Sequence, residues 1–336
     1  MAPPDRAMPS GEDKLIADHF APLATAPGAL RLTDDCAFYT PPAGHDLVLT
    51  ADAVVAGVHF LDDDPPGDIA RKALRVNLSD LAAKGSVPAG CLLTLALPRA
   101  TLQDWIGAFA SGLKADCEIF ACPLFGGDTV STPGPLAISI TAFGLLPSGS
   151  MVRRAGAQVG DRVLLSGSVG DGALGLRLLR DADMAARRGL SALQVQYLIG
   201  RYRVPQPRVA LADAVRHAAT AAMDVSDGLV GDLAKLCAVS GVSARIEAAA
   251  LPLSEAGRAA LAADPVLLET MIAGGDDYEI LCTIPPERVR DFCDTAKAAA
   301  IAVTEIGDIV AGDTPPHWID AQGATLSFSR TSFSHF

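Results

Sequence analysis

The sequence is short of positive charge. Its 336 residues hold 27 Lys and Arg against 39 Asp and Glu, a formal net charge of −12. That balance excludes nonspecific nucleic-acid or anionic-membrane binding, since both need basic patches. No uninterrupted apolar run approaches the ~20 residues of a membrane span. The opening "MAPPDRAMPSGEDKL" has no apolar core segment, so no secretory signal is expected there. The seven cysteines never fall as C-x-x-C, which argues against a zinc site or a disulfide framework and for the cytoplasm. Also missing are G-x-x-x-x-G-K-[ST], G-x-S-x-G and H-E-x-x-H, so a P-loop, a nucleophile elbow and a zincin site are all excluded.

What remains is a folded chain, half of it apolar and rich in Ala and Gly. "EDKLIADHFAPLA" has helical periodicity behind Ser10 and Gly11. "DLVLTADAV", "CLLTLAL" and "PLAISITAFGLL" read as strands. "GDIARKALRVNLSDLAAKG" reads as a helix ending at Gly85, and "LQDWIGAFASGLKADC" as a second. The Pro, Gly and Ser of "LPSGSMVRRAGAQVGD" mark a boundary near residue 150, giving domains over 1–150 and 151–336. After the strand "RVLLSG", helices are expected at 171–181, 191–201, 206–218, 227–239 and 285–299. Strands are expected around 220–224, 243–247, 278–284 and 302–310. Both halves are therefore α/β.

Two motifs fail. "GDGALG" matches G-x-G-x-x-G after a strand, but the residues that follow look helical and supply no second strand ending in an acid. "DVSDG" hints at a calcium loop, yet the twelfth position is Lys235 where an EF-hand needs Glu.

Six acidic clusters survive, each placed at an element end or turn: "TDDCA", "TADAV", "NLSDLAAKG", "FGGDTV", "MDVSDGL" and "GGDDYE". One such Asp is ordinarily a cap bonded to nearby backbone N–H groups. Asp80 is different, because it borders the apolar stripe Ala70, Ala73, Leu74, Leu78 and Leu81, with Lys84 as its ordinary partner. Converging carboxylates repel unless cations intervene. Oxygen donors without a Cys or His cluster favour Mg²⁺ over zinc. An acidic protein can hold phosphates through such ions. The residues thus point to an Mg²⁺-dependent enzyme acting on a polyphosphate, with transfer and hydrolysis both open.

These clusters, in this order, resemble the thiamine-monophosphate kinase family. The likeness is densest at "DLVLTADAVVAGVHF", "RKALRVNLSDLAAKG", "FGGDTV", "DVSDGLVGDL" and "GGDDYEI", and runs to the terminal "SHF". The family shares a superfamily with aminoimidazole ribonucleotide synthetase, selenophosphate synthetase and a hydrogenase-maturation protein. The resemblance implies two α/β domains, N-terminal domains paired in a homodimer, and ATP in a cleft between domains. It implies ATP-dependent phosphorylation of thiamine monophosphate with several Mg²⁺ ions. Asp35, Thr50, Asp52, Asp80, Asp128 and Asp224 would bind Mg²⁺, Ala51 through its carbonyl, and Asp227 a further ion. Gly127, Asp128, Arg154 and Ser226 would contact ATP, with Arg153 the alternative to Arg154. His59 and Asp276 would hold the acceptor, and Asp34 and Asp277 would stand behind these residues.

The acceptor is itself a phosphate with a second pKa of ~6. No covalent or general-base residue is therefore expected, and direct in-line transfer follows. Thr33 stands where the family usually has Gly, and a left-handed φ there would force a different loop. Aligned from "SHF", the family's substrate-facing aromatic falls on Arg330, with Phe328 and Phe333 as alternatives. Another enzyme of the superfamily and a metal-dependent phosphohydrolase are the competing readings.

Overall fold

Strict alternation builds the first sheet. In β2 (Val87–Pro98) Leu93, Leu95 and Leu97 are buried while Leu92 and Thr94 face outward, the pattern of a strand covered on one side. β2 joins β1 (His45–Val55), β3 (Leu124–Thr132) and β4 (Ala137–Pro147) in the order β1-β4-β2-β3, with β2 and β3 parallel. Helices α1 (Pro66–Ala83) and α2 (Gln103–Ile119) accompany this sheet in the chain. The structure, a computed structural model, describes residues 14–333. Over these it forms two compact units, one of residues 14–43, 49–74 and 88–143, the other of 44–48, 75–87 and 144–333.

The second unit is organised by β5 (Arg162–Ser166), β6 (Ala221–Asp224), β7 (Ser243–Glu247), β8 (Ile280–Ile284), β9 (Val303–Val310), β10 (His317–Ile319) and β11 (Thr325–Leu326). Their order is β11-β10-β7-β9-β5-β8-β6, and β5 pairs antiparallel with both β8 and β9. Successive side chains of β5 enter different cores: Val163 and Leu165 one, Leu164 the other. β8 does the same, with Leu281 opposite in sense to Ile280 and Cys282. Such runs read as continuously apolar because both faces are covered. The helices of this unit are α3 (Asp171–Arg180), α4 (Met184–Arg187), α5 (Ala192–Arg203), α6 (Ala212–Ala218), α7 (Leu229–Ser240), α8 (Glu255–Ala263), α9 (Leu267–Ala273) and α10 (Pro286–Ala298). Ser191 and Gln194 form a reciprocal capping box at the start of α5. Among the described residues no helix is long and apolar enough to cross a membrane.

Several expectations need correction. The first helical segment is a π turn (Ile16–Phe20) followed by 3₁₀ turns at Ala21–Leu23 and Pro27–Leu32, because Pro22 and Pro27 each remove a helical N–H. Its expected start at Ser10 and Gly11, and the terminal "SHF", lie outside the described residues. Pro205 and Pro207 likewise shorten the 206–218 helix to a 3₁₀ turn and α6. "FGGDTV" is the interior of β3, and Asp52 lies inside β1, so neither acid stands at an element end. Gly and Asp are poor strand formers, yet pairing with β2 overrides that preference. α4, α8, β10 and β11 are additions to the elements expected from the sequence.

Candidate functional site

Each unit gathers part of the acidic set. In the first, β3 lies so close to β2 that a Cβ at Gly127 would overlap the Leu93 carbonyl oxygen. The same strand carries Asp128 outward, its Oδ1 accepting the Thr129 N–H at 2.9 Å. Asp34, Asp35, Gly127 and Asp128 line one cavity of about 510 Å³, backed by Leu93 and Phe125. The left-handed backbone that shapes this wall falls on Leu30, Arg31 and Leu32, whereas Thr33 has φ −103°. Thr33 is therefore accommodated, and its hydroxyl donates to the Leu30 carbonyl at 2.7 Å. Thr50, Ala51 and Asp52 do not line this cavity; they follow one another along β1, with Ala51 and Asp52 exposed. His59 is held in a turn by Val55 and Lys72.

The second unit stitches two distant motifs together. The Asp276 N–H donates to the Ser226 carbonyl at 2.9 Å and the Tyr278 N–H to the Val225 carbonyl at 2.8 Å. Gly275, Asp276 and Tyr278 all have left-handed φ, at 78°, 65° and 53°. Two non-glycine residues in that region within three positions mark a strained loop, the kind retained where geometry matters to function. Beneath it, buried Glu279 accepts from Ser166, Arg201 and Arg208. Arg201 also donates to the Asp277 carbonyl at 3.1 Å.

Asp277 explains why "GDGALG" is not a phosphate loop. Its carboxylate accepts the Gly170 N–H at 2.8 Å and the Gly172 N–H at 3.3 Å, so the start of α3 is already capped from within. Burial pushes this carboxyl well above its usual value, despite those bonds.

Asp232, which the motifs did not flag, accepts the N–H groups of Ser226 and Asp227, each at 3.1 Å, and burial raises its pKa. Lys235 bridges Asp227 at 2.7 Å and Asp232 at 3.0 Å. The residue that rules out a calcium loop thus braces the same turn. Lys84 donates to the Ala222 carbonyl at 2.6 Å. Burial holds its ammonium below the ordinary value, Arg154 adding to the effect while Asp224 and Asp80 oppose it. Asp80, Asp224 and Arg154 are therefore electrostatic neighbours of one lysine. Near the C-terminus, the Phe333 N–H donates to the Asp227 carbonyl at 2.9 Å. The Arg330 N–H is held by Glu269, and Phe328 packs edge-on against Trp318.

This layout can be set beside known proteins. Residues 33–146 match the family described as AIR synthase related protein, N-terminal domain, and residues 158–317 match its C-terminal domain. The thiamine-monophosphate kinase of Caulobacter vibrioides is 43% identical over 98% of this chain and 94% of its own length. That of Escherichia coli K12 is 38% identical over 98% and 99%. The chain belongs to the thiamine-monophosphate kinase family. Its fold is that of the family's solved members. The Stenotrophomonas maltophilia enzyme superposes with a TM-score of 0.79 at 39% identity, covering 88% of this chain and 91% of that one. A complex of AaThiL with AMPPCP and TMP gives 0.75 at 31% identity, covering 90% and 91%. A hydrogenase maturation protein HypE bound to ATP reaches 0.76 over 96% of each chain, but at 18% identity it shares the fold alone.

Among the described residues, no three His, Cys, Asp or Glu side chains form a group that could hold a metal ion. The donor chemistry fits a hard cation all the same. Asp35 and Asp128 share one cavity wall in the first unit, and Asp80 and Asp224 flank one lysine in the second. All are oxygen donors, the set that Mg²⁺ prefers. The residues that sequence patterns missed are Asp232, Lys235, Arg201 and Lys72. Each acts on a neighbouring loop, and only spacing from a motif, as in Asp227 to Asp232, could have hinted at one.

Proposed function

We propose that this protein transfers the γ-phosphoryl group of ATP to the phosphate of thiamine monophosphate, releasing thiamine diphosphate and ADP. One observation carries the reading: a relative that matches 90% of the chain at 31% identity was solved with AMPPCP and TMP together. Asp35, Asp52, Asp80, Asp128 and Asp224 would hold Mg²⁺ through carboxylates, Thr50 beside them, Ala51 through its carbonyl, and Asp227 a further ion. Bound Mg²⁺ supplies neutralisation of the phosphate charges. Gly127 offers close backbone approach to ATP, Arg154 a fork of donors, and Ser226 a hydroxyl. His59 and Asp276 orient the acceptor. Arg330 is the aligned position at its far end, and Phe333, anchored beside Asp227, offers an aromatic face to the cationic thiazolium. The acceptor arrives as an anion, so alignment suffices and no side chain need form a bond to phosphorus.

The reading includes a cytoplasmic homodimer with a boundary between its two functional domains near residue 150. Exposed Leu49, Leu92 and Val130 on the four-stranded sheet, 64%, 41% and 44% accessible, support pairing through that sheet. Seven free thiols suit a reducing compartment. The deciding experiment incubates the protein with Mg-ATP and thiamine monophosphate and follows products by mass spectrometry. Equal amounts of ADP and thiamine diphosphate are expected. ADP without thiamine diphosphate would instead establish a phosphohydrolase.

A further inference from the structure

His59 and Val55 are bonded to each other twice. The His59 N–H donates to the Val55 carbonyl at 2.9 Å, and the Val55 N–H donates to His59 Nδ1 at 3.1 Å. A bond from the Gly57 N–H to the Phe60 carbonyl at 2.8 Å closes the same turn. The carbonyl of residue 59 accepts from the Lys72 ammonium at 2.8 Å. Lys72 is 1% exposed. An ammonium is rarely buried so completely, and burying one is costly unless its donors are met. Here a buried cation on α1 terminates on the main chain of a residue assigned to the acceptor.

The ring bond carries chemical information. A ring nitrogen that accepts an N–H has its lone pair engaged, so a neutral imidazole keeps its proton on the other nitrogen. We infer that Lys72 is a positioning residue: it pins the main chain of His59 so that the Val55 N–H can hold the ring as the Nε2–H tautomer, a hydrogen-bond donor to the acceptor's phosphate. This rests on the acceptor role given to His59 above. A donor-only edge matches phosphate oxygens, which are acceptors, and gains less from a free hydroxyl. The site is thereby biased toward a phosphorylated acceptor over the corresponding alcohol.

The test uses the full chain labelled with ¹⁵N-histidine near neutral pH, with H59Q locating the His59 signals. Long-range ¹H–¹⁵N spectra of the wild type should show Nε2 protonated and Nδ1 bare; a Nδ1–H or doubly protonated ring overturns the proposal without any need for a variant to fold. K72M should blur that signature into mixed tautomers. It should also raise the acceptor KM about tenfold, with the ATP KM unmoved, as expected for one misplaced hydrogen bond. H59Q, whose amide nitrogen can mimic Nε2–H, should recover most of the acceptor affinity lost in H59A. An unchanged acceptor KM in K72M overturns the positioning role. If H59A also leaves that KM unchanged while the tautomer is as stated, the acceptor assignment falls and the fixed ring stands.

Discussion

Ser226 and Asp276 are joined through the main chain, the Asp276 N–H reaching the Ser226 carbonyl at 2.9 Å. This bond makes the "DVSDG" and "GGDDYE" loops one structural object. Gly275 makes the approach possible: its φ is +78°, and a Cβ there would stand 2.5 Å from that same carbonyl oxygen. Gly275→Ala should therefore cost roughly 2–3 kcal/mol and at the same time raise the acceptor KM. Asp276→Gly should do the opposite to stability. Its left-handed φ of 65° is easier for glycine, so the melting temperature should rise slightly while acceptor affinity falls. Calorimetry beside steady-state kinetics separates the two effects. A normal acceptor KM in Asp276→Gly would deny Asp276 any role in binding.

Asp277, two residues before Glu279, makes stability depend on pH. Burial raises its folded-state pKa well above the usual 3.8. The unfolded chain ionises near that ordinary value, so folding takes up a proton at any pH between the two. The contribution is fully present below the ordinary pKa and is lost as pH rises toward the folded one. Asp277→Asn cannot ionise, and its amide oxygen can still accept from Gly170 and Gly172. Urea midpoints of variant and wild type should therefore shift in the variant's favour as pH climbs from about 4 to 8. A constant difference across that range would show that the carboxyl is ionised in the folded protein.

Much of this is legible in the amino-acid sequence, and the residues show why. The β8 run "ILCTI", apolar but for Thr283, declared itself as a buried strand, while the periodicity of α7 declared a helix. β3 stayed hidden because Gly126, Gly127 and Asp128 oppose strand formation locally, and only their register with Leu92, Leu93 and Thr94 makes them a strand. The acidic motifs were visible as letters. Their supports were not: Arg201 reaches Asp277 and Lys72 reaches His59 over distances in sequence that no short pattern encodes, and the left-handed turn of Asp276 is fixed by its bond to Ser226. Thr33 shows the reverse case. A departure that looked disruptive is absorbed because the unusual backbone lies at Leu30–Leu32.

Asp52 and Asp128 are exposed carboxylates on strands, so their removal should spare the fold. Asp52→Asn or Asp128→Asn should lower transfer at least ~100-fold, the scale of losing a charge-stabilising group, with melting shifted by no more than a surface change would do. Chelation by EDTA should abolish transfer while leaving the circular dichroism spectrum unchanged, and added Mg²⁺ should restore it. Normal turnover by either variant would remove that residue from the metal set.

Phe328 and Phe333 divide along the line between packing and binding. Phe328 meets Trp318 edge to face at 5.7 Å and lies against the core of the second unit, so Phe328→Ala should destabilise by roughly 2–4 kcal/mol and leave the acceptor KM unchanged. Phe333 is 44% exposed and its backbone is tied to Asp227, so Phe333→Ala should cost about 0.5 kcal/mol or less. If its ring faces the thiazolium, the acceptor KM should rise about five- to thirtyfold, the worth of one cation–π contact. Arg330→Ala provides the internal comparison. Its backbone is pinned by Glu269, which does not depend on the side chain, so stability should hold. A KM increase in Arg330→Ala with none in Phe333→Ala would return the acceptor's far end to residue 330.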